Sequence, residues 1–473
     1  MTSIGEEIHP EDDKSSFIAK EVLDNKDGTL LKAHLPDGYW EESWDFLTKN
    51  WIPLIANAFE FFEFATFAYE VEPISHNFSN GNETIVWVIF SVAFLCRPIG
   101  GIVVGYLGDF VGRKPAFRIA SISVVISTFL QGTVPSQYAG GDTGRHVGLV
   151  LLLMLRVMQG LGIGGEVSSG IILLAENSKR KHVGITLGWL TVSSGLGFML
   201  ASFSAALINT VMNDEDVIRY GWRIPFLLSV IPGAYLLYLL RTLEETAVFK
   251  KFSEGGGPEA SMLNANIIKR LVAFVLCHAG VASFWYVACI YVFDWLRDTQ
   301  NAEADGFGAS ELLWIATFQN AVQLPASLIF GAALDVYGLT SMFILAMGSA
   351  LAFGLPTFAL LDSFGAQTYL MILGPGLLFG IIAGAIGSAA ALLAVDIFPP
   401  EFRHRGIGLA FNLSVMIFGG LGPAWAELGE GYIPVAPGVL VGVCAAISFV
   451  TFLFFAQYLL PPENKPSFDI MCC

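Results

Sequence analysis

Apolar residues in this chain gather into long runs and do not alternate at strand spacing. A helix needs about 20 mainly apolar residues to cross a hydrocarbon core. Such runs recur at 51–72, 84–106, 117–135, 148–174, 183–211 and 222–241. A polar stretch from Glu244 to Asn266 follows, and then six more runs at 269–293, 311–334, 341–361, 367–395, 405–428 and 436–460. The pattern predicts an all-α membrane protein of twelve transmembrane helices in two six-helix bundles, residues 47–241 and 269–460. A linker at 242–268 joins them, and polar tails occupy 1–46 and 461–473. Gly255, Gly256, Gly257 and Pro258 lie in the linker, where no packed helix would tolerate them. The tail at 1–46 has no apolar signal-peptide core, so the first run is expected to act as the insertion signal.

The two bundles share a faint repeat. Gly105, Asp109 and Gly112 end the second helix, and Gly331, Asp335 and Gly338 stand at matching places at the end of the eighth, as a duplicated six-helix unit would leave them. Basic residues set the expected orientation. With the N-terminus inside, the inner loops hold Arg113, Lys114, Arg118, Lys179, Arg180, Lys181, Lys250, Lys251, Lys269, Arg270, Arg403 and Arg405. The outer loops hold only Arg145, Arg219 and Arg297. Both termini are therefore expected to be cytoplasmic. Two glycosylation sequons, at Asn77 and Asn82, fall in the first outer loop of this topology.

Composition sharpens the picture. Of 473 residues, 54% are hydrophobic and 14% charged, against roughly 25% charged for a soluble domain. The excess acid behind the net charge of −16 lies largely in loops and in the N-terminal tail. No basic stripe invites nucleic acid. The six Cys form neither a metal-ligand spacing nor a disulfide framework, so no metal or other cofactor is expected. An enzyme is not expected either, because no nucleophile motif or phosphate loop has a coherent context. The glycine-rich run Gly160–Gly165 lies inside an apolar helix with no strand before it.

The segment from Gly105 to Lys114, GYLGDFVGRK, resembles the signature loop of the major facilitator superfamily. Around it, Asn57 with Glu60, Phe61, Phe62, Glu63 and Phe64 resembles the first-helix motif of that superfamily's metabolite:proton symporter family. FLCRPIGG (Phe94–Gly101), RVMQGLGIGGE (Arg156–Glu166) with Glu176, and GWRIPFLL (Gly221–Leu228) resemble its second, fourth and sixth helices. Tyr286, Tyr291 and Leu296 match the seventh, and Phe398, Pro399, Arg403, Asn412 and Pro423 the tenth and eleventh. The likeness covers nearly all of 50–460 and implies the major facilitator fold. It also implies proton-coupled symport of a small metabolite by alternating access, by a plasma-membrane protein that works as a monomer in the bilayer. The proton is then the coupling ion. Proline/betaine, dicarboxylate, citrate and shikimate symporters belong to this family. The chain departs from the pattern where Trp-Tyr-Asp becomes Phe61, Phe62 and Glu63, where Asp396 replaces Glu, and where basic residues are missing after Asp335. The third loop, around Gly140, Gly141 and Asp142, looks enlarged.

A charge at mid-membrane costs at least about 2.5 kcal/mol on insertion scales and needs a partner or a wet cavity. Counting along the helices places Glu60, Arg97 and Arg156 near the midplane, Glu63 one turn outward and Glu166 deeper toward the cytoplasm. Arg97 or Arg156 either holds a substrate carboxylate or ties helices together through Glu60 or Glu166. Asn57, Tyr286 and Tyr291 complete the candidate substrate set. Glu60 or Glu63 is the first candidate proton carrier, with Glu166, Asp294 and His278 behind. Trp189, Trp285, Tyr286 and Tyr291 form either an aromatic cage or ordinary packing. Asp109, Arg113, Lys114, Glu176, Asp335, Asp396 and Arg403 are expected at the cytoplasmic gate. A near-balanced site suits a zwitterion such as proline or betaine; a carboxylate held by Arg97 or Arg156 is the neighbouring expectation. Uncoupled facilitated diffusion and a non-transporting nutrient sensor of the same fold are the alternatives.

Overall fold

The computed structural model describes residues 35, 38–110, 113–179, 182–241, 265–299, 308–365, 367–399 and 402–460. The elements used below are α1 (Tyr39–Lys49), α2 (Trp51–Tyr69), α3 (Val71–Phe78), α4 (Glu83–Phe110), α5 (Arg113–Gln131), α6 (Gln137–Ile163), α7 (Glu166–Asn177) and α8 (Val183–Val211). They continue with α9 (Asp214–Leu239), α10 (Ala265–Arg297), α11 (Ala309–Phe364), α12 (Thr368–Ile397), α13 (Arg405–Glu430) and α14 (Ala436–Phe454). Nine of the described helices are long and apolar enough to cross a bilayer. One of them, α11, has 56 residues and is broken by non-helical backbone at Gly338 (φ 76°, ψ 167°), so it makes two crossings with almost no loop. The others needed for twelve are α2, which carries Glu60 and Glu63, and α5, whose apolar part is Arg118–Gln131.

Lipid tails are as apolar as leucine, so helices in a bilayer associate by close backbone approach and by polar contacts. The glycines supply that approach. A Cβ at Gly160 would lie 2.1 Å from the Ala93 carbonyl oxygen, and one at Gly164 would lie 2.1 Å from that of Arg97. Gly160, with Gly164 just beyond the end of α6, thus lies on the seam with α4, while Gly162 faces α5. The two halves meet chiefly along α8 and α11. There a Cβ on Gly184 would strike the Gly331 carbonyl at 2.5 Å, and one on Gly188 the Ser327 carbonyl at 2.8 Å.

The structure corrects several expectations. Around the third loop, Gly140 and Gly141 (φ 59°) have non-helical backbone within Gln137–Ile163, so the regular part of α6 starts after them. The fourth run is two helices, α6 and α7, separated by Gly164 and Gly165. Arg297 is not a loop residue but ends α10. The tail is helical from Tyr39, with Trp40 and Trp44 exposed and Ser43 buried. Asn77 is fully buried and spends its amide on Pro73 O (2.7 Å) and Ile218 O (2.6 Å), so this fold leaves it no room for a glycan. Asn82 is exposed.

Candidate functional site

A cavity of about 90 Å³ lies between the two halves. Helices α2 and α8 bring Asn57, Phe61, Thr191 and Ser194 to it, and α10 and α13 bring His278, Trp285, Tyr286 and Phe411. No Asp, Glu, Lys or Arg is among the described residues lining it. The wide-turn segments Phe284–Tyr291 of α10 and Val415–Gly420 of α13 both border it. Such segments turn a helix's side chains out of register with the rest of the rod and recur at functional sites. Asn57 is held by Ser193 Oγ (2.7 Å) and Ser194 Oγ (2.9 Å), to which its Nδ2 donates.

Of the expected substrate residues, Asn57 and Tyr286 line this space; Arg97, Arg156 and Tyr291 do not. Arg97 lies behind the aromatic wall, its guanidinium 4.4 Å from the Phe94 ring centroid and 5.6 Å from that of Phe64, within reach of Tyr286. Arg156 is fully buried inside the N-terminal half. It donates to Gln159 Oε1 (2.7 Å) and Phe90 O (2.9 Å) and stacks on Phe67 at 4.3 Å. Gln159 Nε2 in turn donates to Thr128 Oγ1 (2.9 Å), so this cation ties α4, α5 and α6 together. Glu60 and Glu63 are both buried and turn to a separate small cavity shared with Ser121 and Leu236. It measures about 10 Å³, roughly room for one water. The four-membered cage does not assemble. Trp189 binds Ser43 Oγ (2.8 Å) and packs on Trp44, while Tyr291 is at the far end of α10. Phe61 and Phe411 stand in their places beside Trp285 and Tyr286.

That far end carries a charge network foreshadowed in the sequence only by Asp294 and Tyr291. Arg297 donates to Glu72 Oε2 (2.8 Å), Glu83 Oε2 (2.5 Å) and Asp294 Oδ1 (2.6 Å). Glu72 and Glu83 belong to the N-terminal half and Arg297 to the C-terminal half, so two of these bonds close the cleft. Trp87 Nε1 adds a third crossing contact, to Asp294 Oδ2 at 2.8 Å, and Thr84 a fourth, to Glu427 Oε1 at 3.2 Å. Tyr291 Oη lies 2.6 Å from Glu427 Oε2 and 2.5 Å from Glu430 Oε1. A phenol has one hydrogen, so both short contacts are satisfied only when one of the two carboxyls is protonated.

The opposite end carries different crossing contacts. Asp335 of α11 accepts from the backbone N–H groups of Gly184 (2.6 Å) and Ile185 (2.9 Å), the first turn of α8 in the other half. A carboxylate there meets the positive end of a helix. Asn412 Nδ2 donates across the halves to Gly164 O (2.8 Å). Arg403 Nε donates to Val395 O (2.9 Å), and Asp396 is half-buried near the end of α12. The side chains of Asp109, Arg113, Lys114, Glu166 and Glu176 lie outside the described residues, as do nearly all of the 242–268 linker and the tail at 461–473.

A family model for sugar (and other) transporters matches residues 52–269. A Staphylococcus aureus protein described as a putative proline/betaine transporter is 30% identical over 417 residues, spanning 85% of this chain and 86% of its own. The Salmonella typhimurium proline/betaine transporter is 28% identical over 382 residues, covering 77% and 74%. Among solved structures, the proton:xylose symporter XylE superposes with a TM-score of 0.68 at 14% identity over 88% of this chain and 96% of that one. Its inward-open form from E. coli gives 0.63 at 15% identity, over 85% and 95%. A cavity between two six-helix halves, with contacts that cross between them at both ends, is the arrangement of a membrane transporter. The chain belongs to the major facilitator superfamily, among its metabolite transporters. It is a multi-pass integral membrane protein and not an enzyme.

Proposed function

We propose that this protein is a proton-coupled symporter of a small zwitterion of the proline or betaine kind. The observation that carries the reading is the cavity itself, aromatic and uncharged, with its charges kept behind its walls. A fixed Arg in the cavity would favour an anion, and a fixed carboxylate a cation. A ligand with no net charge is best served by aromatic faces and neutral hydrogen-bonding groups. The relatives named for proline and betaine transport support the same class.

Transport follows by rocking of the two halves about the cavity. The Arg297 network closes the end expected to face outward, and Asp335 holds the end expected to face the cytoplasm. Proton binding at Glu60 or Glu63 removes a buried negative charge from the N-terminal half, and coupling requires that this change the balance between the two states. The protein works as a monomer in the plasma membrane, with both termini inside. Radiolabelled uptake into proteoliposomes, with and without an imposed pH gradient, tests the reading. Proline or glycine betaine should accumulate only with the gradient. Uptake of a dicarboxylate alone would remove the zwitterion, and equal uptake without a gradient would leave a facilitator.

A further inference from the structure

His278 is a lone histidine at the cavity wall, 4% exposed. Its ring is stacked on Phe274 (centroids 5.3 Å apart, 20° between planes) and lies 4.9 Å from Phe411, so its orientation is fixed by packing. Nδ1 is 3.2 Å from Ser414 Oγ, and Ser414 Oγ is 3.2 Å from Val275 O. A carbonyl oxygen only accepts, so the serine's single hydrogen belongs to Val275 O. Both contacts are then made only if Nδ1 carries the ring hydrogen and donates to Ser414. The neutral ring is left with a bare lone pair on Nε2. Nε2 has no hydrogen-bond partner among the described residues, and the ring borders the cavity.

On the opposite polarity, Trp285 Nε1 is a buried N–H without a partner among the described residues, seven positions further along α10 and also on the cavity wall. Both side chains border the same cavity, one on each side of the start of the wide-turn segment Phe284–Tyr291. The wall thus offers one unspent acceptor and one unspent donor. Packing fixes the acceptor, and the serine relay assigns its lone pair.

We propose that His278 Nε2 accepts an N–H from the transported ligand, so that the cavity selects zwitterions with a primary or secondary ammonium over fully N-alkylated ones. The proposal rests on the zwitterion reading above and adds which zwitterions. A ligand ammonium N–H gives Nε2 a charge-assisted bond; a quaternary nitrogen leaves the acceptor dry and unpaired. Hydrogen bonds to charged groups support a preference of roughly ten- to hundredfold.

The test uses the full chain in lipid nanodiscs and two probes, proline and N,N-dimethylproline, which share ring, carboxylate and net charge and differ in the N–H. Wild type should bind proline roughly ten- to hundredfold more tightly. His278→Phe keeps a flat ring between Phe274 and Phe411 and removes the acceptor; the preference should collapse toward unity through weaker proline binding, with N,N-dimethylproline little changed. Equal wild-type affinities, or an undiminished preference in His278→Phe, would overturn the proposal while leaving the zwitterion reading intact. Binding of neither probe by wild type would remove that reading and this one with it. A ligand-free measurement stands apart from both outcomes. The ¹⁵N spectrum of ring-labelled protein, with His278 assigned by its loss in His278→Phe, should show a protonated Nδ1 and a bare Nε2. The opposite tautomer would overturn the assignment whatever the substrate.

Discussion

Replacing Arg297 with Gln tests the closed end of the cleft. Three bonds are lost, but they do not count equally. Asp294 lies three residues before Arg297 on the same helix, so that pair persists when the halves separate and cancels between states. Only the bonds to Glu72 and Glu83 differ between closed and open. The Arg297, Glu72 and Glu83 side chains are 21%, 33% and 14% exposed. These crossing pairs therefore fall between a solvated ion pair, worth up to about 1 kcal/mol, and a buried pair, whose breaking costs about 3–5 kcal/mol. Taking about 1–2 kcal/mol each, the closed state loses about 2–4 kcal/mol, or roughly 30- to 1000-fold in the closed-to-open ratio. The contacts from Trp87 and Thr84 remain, so the end should loosen and not stand fully open. The reporter is a single Cys at Ser91, which is 1% exposed and bonds Gly420 O across the halves, placed in a background freed of the native cysteines. A membrane-impermeant maleimide added to right-side-out cells should label it at least tenfold faster in Arg297→Gln than in the parent. Arg297→Lys, a point charge without the fork that spans two carboxylates, should fall between. An unchanged rate in a well-expressed Arg297→Gln protein would refute the gate. Labelling only from the cytoplasmic side would reverse the orientation.

Three further outcomes are expected. Asp335→Asn weakens the charged cap on α8 by about 1–2 kcal/mol, so a single Cys at buried Ser327 should react roughly five- to thirtyfold faster from the cytoplasmic side; no change would separate Asp335 from gating. Either Glu60→Gln or Glu63→Gln should abolish pH-driven accumulation while sparing exchange between loaded vesicles, because exchange needs alternating access but no proton release; full accumulation in both variants would move the proton carrier elsewhere. Gly160→Val would force its side chain into the Ala93 carbonyl, 2.1 Å from the Cβ position, and should cost more than about 3 kcal/mol, read as a lowered melting temperature in detergent. Gly348→Ala, where the nearest neighbour is Phe449 at 3.7 Å, should leave it unchanged.

The twelve-helix fold was legible because a bilayer imposes its thickness on every crossing, and run length reports it directly. What run length misses is how a span is interrupted. Gly338 breaks the backbone between two crossings in a single residue, and Gly140 and Gly141 interrupt the start of α6 with non-helical backbone. At the site, the structure puts Asn57 on the cavity and Glu60 and Glu63 off it, a separation the sequence does not show because a carboxylate facing a one-water void and one facing a substrate look alike there. Arg156 could equally have been a ligand or a tie, and only its contacts to Gln159 and Phe90 show where its donors go. Glu72, Glu83, Glu427 and Glu430 escaped notice because acids near helix ends normally face water. Their signal was an imbalance: several carboxylates at one end of the bundle, where Arg297 was among only three basic residues. The His278 relay joins residues 136 apart in sequence and has no local signature.

The central claim is that an uncharged cavity moves a zwitterion up its gradient at the expense of a proton gradient. Its most direct measurement is uptake of labelled proline and of glycine betaine by proteoliposomes containing the purified protein, acidic outside and neutral within. Inward accumulation of at least one of the two above its external concentration, abolished by a protonophore and matched by proton entry, is the expected result. Equilibration without accumulation, or movement of neither compound while a dicarboxylate is taken up, would contradict it.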